Sequence, residues 1–276
     1  MDKALQDIRA RLDGRDPQKP FCIMVAGGSA TGKSSAVLPE VMAAFGDQAV
    51  LVEQDWYQLG QNFAEKDTSP YRWDDPRNFQ IDRMATDLRA LKRGEPITTP
   101  SFDVVAVGSV GERTITSHPV IVVDGIYTLH GELKELSDYG IYMSMPLYGR
   151  FLRRLFRMIY DQKQDKPQTA FKQVFGSVLK AHLDFVRRQA EAAQYTISLP
   201  YSFADTIDRY GLQPHGVLPP AAAAQVFSHD DLAFYVHQEN PDAFRFSIVY
   251  QDKPYYDFLV DNTYRALLDD IDYLGL

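Results

Sequence analysis

Apolar positions along the chain come in two textures, short continuous runs and longer stretches at helical spacing, and the way they alternate predicts the fold. Leu5, Ile8 and Leu12 recur at helical intervals and stop at Gly14, which predicts a short amphipathic helix over 2–13. Phe21 to Ala26 is a continuous apolar run, the mark of a strand buried on both faces, and it ends on Gly27 and Gly28. A helix is expected over 33–45, a second buried strand over 49–53, and a helix over 81–91 closed by Gly94. The third strong run, Val120 to Val123, ends at Asp124 and Gly125, and a fourth strand is expected over 141–145. Strands alternating with helices need crossovers, so the expected class is α/β, a doubly wound and mostly parallel sheet. Ligands of such sheets bind beyond the carboxyl ends of the strands, where Gly27, Asp55 and Asp124 fall.

Two long helices are expected next, over 149–160 and 167–193, the second with Phe171, Val174, Phe175, Val178, Leu179, Leu183 and Val186 on one stripe. Residues 213–224 are rich in Pro and Ala and read as a linker. Beyond them Phe244, Phe246, Ile248 and Tyr250 alternate with Arg245, Ser247 and Val249, a half-buried strand that a turn over 251–254 leads into a second strand. A last helix carries Tyr264, Leu267, Leu268 and Ile271.

Composition narrows the function classes. The 276 residues hold 37 Asp and Glu against 29 Lys and Arg, a formal charge of −8. Such a chain repels phosphate unless its basic groups are gathered locally, which argues against nucleic acid as a partner. The single Cys22 excludes an intrachain disulfide framework, and the six histidines lack metal-ligand spacing. No apolar run approaches the roughly 18 residues a membrane helix needs, and the first residues are charged throughout. The expectation is a soluble, cytoplasmic protein without membrane contact, with room for a homo-oligomer.

One segment carries specific chemistry. Gly27, Gly28, Ser29, Ala30, Thr31, Gly32, Lys33 and Ser34, followed by Ser35, fit G-x-x-x-x-G-K-[ST] at every fixed position, between a buried strand and a helix. The glycines let backbone amides wrap phosphate oxygens, Lys33 reaches the β/γ-phosphates, and Ser34 ligates Mg2+. Binding of a nucleoside triphosphate follows. A GTPase would need an N-K-x-D box and an ABC-type ATPase an LSGGQ-like loop, and the chain has neither. A small-molecule kinase or a nucleotide-binding module remains.

Asp55 closes the second strand, where a carboxylate can orient or deprotonate a substrate hydroxyl for in-line attack, or merely cap a turn. Asp124 ends the third run in the layout of a Mg2+-contacting acid, or serves as a turn aspartate before Gly125. Trp56 and Tyr57 follow Asp55 closely enough to line an acceptor pocket, or to be buried. Arg150, Arg153, Arg154 and Arg157 lie at i, i+3, i+4 and i+7 on one helix. That stripe is either a solvated face or a lid awaiting an anion, and the only acid at i+4 is Asp161.

Taken in order, GGSATGKSS, VEQDWY, WDDPRNF, LRALKRGEPITTPSFD, VIVVDGI, the Arg-rich helix and LPYSFADTI make residues 20–207 resemble the uridine kinase and phosphoribulokinase branch of the P-loop kinases. The resemblance implies that Asp55 is the catalytic aspartate, that Asp74 holds a sugar hydroxyl, and that Phe102 is an aromatic at the acceptor pocket. It likewise implies that Asp124 is the strand-end acid, and Arg154 and Arg157 are lid arginines embracing the phosphates. The chain departs from pyrimidine kinases at Val104 and Val107, which stand where an aromatic and a histidine read the base. Two further lid arginines fall on Gln162 and Gln164, with Lys163 and Lys166 close by, and uridine kinases usually have glutamate at Asp124.

The expected organisation is therefore a kinase core over 1–207 with lid helices about 149–193, and an extension over 208–276 with no recognised counterpart. The expected activity is transfer of the γ-phosphoryl of ATP, with Mg2+, to a hydroxyl of a small metabolite, nucleoside-like or sugar-like. Pantothenate, glycerate and sugar phosphates are alternative acceptors. A nucleotide-sensing or interaction module that has lost acceptor chemistry is the alternative from another class.

Overall fold

The computed structural model describes residues 1–276 apart from 17, 61–73, 104–107, 164–165, 270 and 276, and only the backbone of 102–103 and 108–110. Trp73, Val104, Val107 and Gln164 therefore lie outside the described residues. Helix α1 (Asp2–Asp13) buries Ala4 and Ile8. Strands β1 (Phe21–Gly27) and β2 (Ala49–Glu53) precede a hairpin of β3 (Ile97–Asp103) and β4 (Gly108–Ile115), followed by β5 (Val120–Gly125), β6 (Tyr139–Ser144) and β7 (Tyr195–Ser198).

Five of these strands form one sheet in the order β2-β5-β1-β6-β7, and every neighbouring pair is parallel. All seven residues of β1 are buried, as a central strand covered on both faces requires. The β3–β4 hairpin is a separate antiparallel pair. Helix α2 (Leu38–Phe45) is preceded by a wider π turn, Lys33–Val37, that starts directly from Gly32. Helix α3 (Ile81–Lys92) turns Met84, Ala85, Leu88 and Leu91 inward, a core stripe at helical spacing, against Val52, Ile121, Val123 and Tyr127.

The described residues pack as two compact units, one of 1–144 with 180–198 and the other of 145–179 with 199–276. In the second, helix α4 (Leu147–Phe156) runs on into Arg157–Asp161, and Pro167–Phe171 continues into Lys172–Val178. Its sheet is an antiparallel meander of β8 (Ala224–His229), β9 (Leu232–Asn240), β10 (Ala243–Tyr250) and β11 (Lys253–Asp261). Phe234 and Phe246 meet Phe151 at 5.8 Å between ring centres, and Phe171 lies 5.4 Å from Phe246. The C-terminal aromatics are thus largely core, as their alternation implies. The β10–β11 turn holds Gln251 and Asp252 at φ +49° and +59°, the left-handed pair that matches the twist of a two-residue hairpin.

The structure departs from the sequence reading in several elements. The helix expected over 167–193 is a succession of shorter helical segments divided between the two units. The expected last helix is a pair of 3₁₀ turns, Asn262–Leu268 and Ile271–Gly275. Strands β3, β4, β8 and β9 lack a clean alternation, and β7 alternates over only four residues: Pro100 and Gly111 interrupt the hairpin, and Ala233 and Tyr235 fill the polar slots between Leu232, Phe234 and Val236.

Candidate active site

The loop after β1 takes its shape from three positive φ angles, at Gly27 (+149°), Ala30 (+65°) and Gly32 (+99°). Gly27 is also needed for closeness, because a Cβ there would stand 2.6 Å from the carbonyl oxygen of Met143 on β6. Thr31 Oγ1 donates to the Gly28 carbonyl at 2.9 Å and Ser35 Oγ to that of Gly32 at 3.2 Å, so side chains brace the curve from within. Lys33 is buried, and its Nζ donates to the carbonyls of Gly27 at 2.8 Å and Gly28 at 3.3 Å. The loop thus carries a buried positive charge at the carboxyl end of the central strand.

Asp124 pairs in register with Val25 on β1 and Glu53 on β2. Ser34 Oγ donates to its Oδ2 at 3.2 Å, while Oδ1 is buried without a hydrogen-bond partner among the described residues. Burial pushes the Asp124 carboxyl above the usual aspartate range, with Lys33 and the Ser34 bond opposing and Asp55 reinforcing. An orphaned carboxylate oxygen beside a serine hydroxyl fits a hard divalent cation. Among the described residues no three His, Cys, Asp or Glu side chains could hold a metal, so Ser34 and Asp124 would hold it together with phosphate oxygens and water.

Asp55 is exposed on the 3₁₀ turn Gln54–Tyr57 that closes β2, and its Oδ1 accepts from Gln58 Nε2 at 3.0 Å. The other three residues of the turn are buried. Gln54 Oε1 accepts the Tyr127 backbone N–H at 2.9 Å. Trp56 lies under the Arg113 guanidinium, 4.1 Å from its ring centre. Tyr57 Oη donates to Asp87 Oδ2 on α3 at 2.8 Å, and burial raises its pKa far above the usual tyrosine value. Its hydroxyl is therefore committed to the helix. Burial also raises the Glu53 carboxyl, opposed by the Trp56 indole and the Arg113 guanidinium and reinforced by Asp124 and Asp55.

Asp74 is buried, and its backbone carbonyl accepts the hydroxyl of Tyr127, so a residue just past β5 anchors it. The neighbouring Asp75 caps the turn Pro76–Asn78 and pairs with Arg77 at 2.8 Å. Phe102 lies on β3, with only its backbone described. In the second unit the arginine stripe does not share one exposure. Arg150 is buried, Arg153 and Arg154 are half-buried, and Arg157 is exposed. Arg154 Nη2 donates to Gln173 Oε1 at 2.9 Å. Asp161 takes Arg209 at 3.3 Å and the hydroxyl of Tyr210 at 3.1 Å. The structure thus brings together Lys33, Ser34, Asp55 and Asp124, and adds Glu53, Gln54, Arg113 and Tyr127. Only Glu53 carried a sequence signal, as a second acid at the same strand end.

The profile described as the Phosphoribulokinase / Uridine kinase family matches residues 22–200. A protein named uridine kinase from Geobacillus kaustophilus (strain HTA426) is 34% identical over 176 residues, covering 62% of this chain and 78% of that protein. Another, from Macrococcus caseolyticus (strain JCSC5402), is 30% identical over 185 residues, covering 65% and 88%. Among solved structures, a putative fructose transport system kinase from Silicibacter sp. TM1040 superposes with a TM-score of 0.58 at 23% identity, over 70% of this chain and 96% of that one. Phosphoribulokinase from Rhodobacter spheroides gives 0.53 at 13% identity, over 82% of each. At these identities the two structures speak for the fold alone.

Proposed function

We propose, from the premise that the chain belongs to the phosphoribulokinase/uridine kinase family, that this small-molecule kinase moves the γ-phosphoryl of Mg2+-bound ATP to a hydroxyl of a nucleoside-like or sugar-like metabolite. The observation that carries this reading is the grouping at the carboxyl ends of β1, β2 and β5. Buried Lys33 lies in the glycine loop, Ser34 is bonded to the half-satisfied Asp124, and the exposed Asp55 stands at the adjacent strand end.

In this reading Lys33 and the loop amides neutralise the phosphates. Ser34 and Asp124 hold Mg2+, which when bound offsets charge on the β- and γ-phosphates. Asp55 accepts the hydroxyl proton as the acceptor oxygen attacks in line. Asp74 holds a second hydroxyl, Phe102 borders the acceptor, and Tyr57 supports that wall from beneath. Arg154 and Arg157 serve the transferred group as lid arginines.

The test is ADP release from Mg2+ and ATP, alone and with uridine, cytidine, pantothenate, glycerate or a pentose phosphate. At least one acceptor should raise the rate well above the water background, and Lys33→Ala should abolish it. Tight ATP binding with no stimulation by any acceptor would favour a nucleotide-binding module, and absence of ATP binding would overturn both readings.

A further inference from the structure

Three residues of the Gln54–Tyr57 turn are buried, and the fourth, Asp55, is exposed. Gln54 is tied to the backbone just past β5 and Tyr57 to α3, both in the core. Trp56 is tied to the β3–β4 hairpin. Arg113 on β4 stacks on the indole and donates from Nη2 to Ser101 Oγ on β3 at 2.7 Å, so it spans both strands of the hairpin. Glu53 lies three residues before Trp56, the indole favours its charged form, and it pairs in register with Asp124. The hairpin is thus joined through Arg113 to Trp56, which directly follows Asp55 on the turn that closes β2 beside the strand end of Asp124. A guanidinium over an indole is planar and directional, and it resists sliding in a way an apolar contact does not.

We propose that Arg113 is a positioning residue for Asp55: by clamping Trp56 under the hairpin, it sets where the Asp55 carboxylate stands relative to Asp124. This rests on the reading that Asp55 handles the acceptor proton. An aspartate one residue from a loosened Trp56 loses its aim at the acceptor oxygen but keeps its charge. The loss then falls on turnover and spares the nucleotide, whose loop is built from other residues.

The experiment compares Arg113→Met, Arg113→Lys, Trp56→Phe and the Arg113→Met/Trp56→Phe double variant, using the acceptor found in the panel above. Arg113→Met should lower kcat about ten- to a hundredfold, the scale of a sub-ångström to one-ångström misplacement, with the Kd for Mg2+-ATP unchanged. Arg113→Lys should recover part of the loss, because an ammonium keeps a cation over the indole but lacks the planar fork that also reaches Ser101. The double variant should be no worse than the poorer single one, since both break one clamp. An unchanged kcat, an equal loss of ATP affinity, a Lys variant no better than Met, or multiplying losses would overturn the proposal.

Trp56 gives a readout independent of activity. In a Trp73→Phe background it is the sole tryptophan, and Arg113→Met should make its fluorescence several-fold more quenchable by acrylamide while thermal stability holds. If no acceptor is turned over by the parent, the functional reading fails on its own. Quenching that Arg113→Met leaves unchanged overturns the clamp in either case.

Discussion

A Cβ added to Gly125 would stand 2.4 Å from the Cβ of Gln54, so the residue after Asp124 and the residue before Asp55 fill each other's space. Gln54 Oε1 also accepts the backbone N–H of Tyr127 at 2.9 Å. This contact brings the ends of β2 and β5 together and places two carboxylates at adjacent strand ends. Gly125→Ala should therefore cost about 1–3 kcal/mol of stability by overpacking, because the clash is with the root of a buried side chain. Urea unfolding checks it, and a neutral result would mean that Gln54 can move aside.

Asp55→Asn keeps size and hydrogen bonding but removes the proton acceptor. It should lower kcat by roughly 10²–10⁴ and leave the Kd for Mg2+-ATP within about twofold. Steady-state kinetics with calorimetric ATP binding separates the two, and full turnover would remove Asp55 from the chemistry.

Tyr57→Phe should destabilise by about 1–3 kcal/mol, because it leaves the Asp87 carboxylate without its donor, and it should leave the acceptor KM unchanged. A raised acceptor KM at full stability would instead make the Tyr57 hydroxyl a substrate contact.

Asp124 makes stability depend on pH. Burial holds its folded pKa above the unfolded value, so the folded state binds the proton more tightly. The resulting stabilisation is full below the ordinary aspartate range and is lost as pH rises through the raised value. Glu53 has the same sign and the same leading cause. Without metal, the thermal midpoint should therefore carry a term that falls as pH rises above the ordinary carboxylate range, and Asp124→Asn should remove its share. Identical pH profiles for parent and variant would exclude Asp124 from the effect.

The candidate site was legible where its signal is local. GGSATGKSS lies in one stretch, Asp124 directly ends an unbroken apolar run, and Asp55 follows the short run Ala49–Val52 by three positions, so strand, loop and acid are read together. Arg113 was not legible, because its partner Trp56 lies 57 positions away and meets it only through the hairpin. Tyr127 likewise reaches the Asp74 carbonyl only once β5 is in the sheet.

Residue pattern suffices for the buried strands β1 and β5, the glycine loop, and the alternation that makes Phe244, Phe246 and Ile248 core, whereas β2, expected to be buried, lies at the edge of the sheet with only Val52 buried. Burial on both faces and left-handed backbone restrict residue type at consecutive positions. The tertiary structure alone decided the strand order, the contact between Gln54 and Gly125, the stacking of Arg113 on Trp56, and the grouping of 145–179 with the C-terminal strands. Each of these joins residues far apart in the chain, and such pairings leave no period in the sequence because they depend on which surfaces meet when the chain closes on itself.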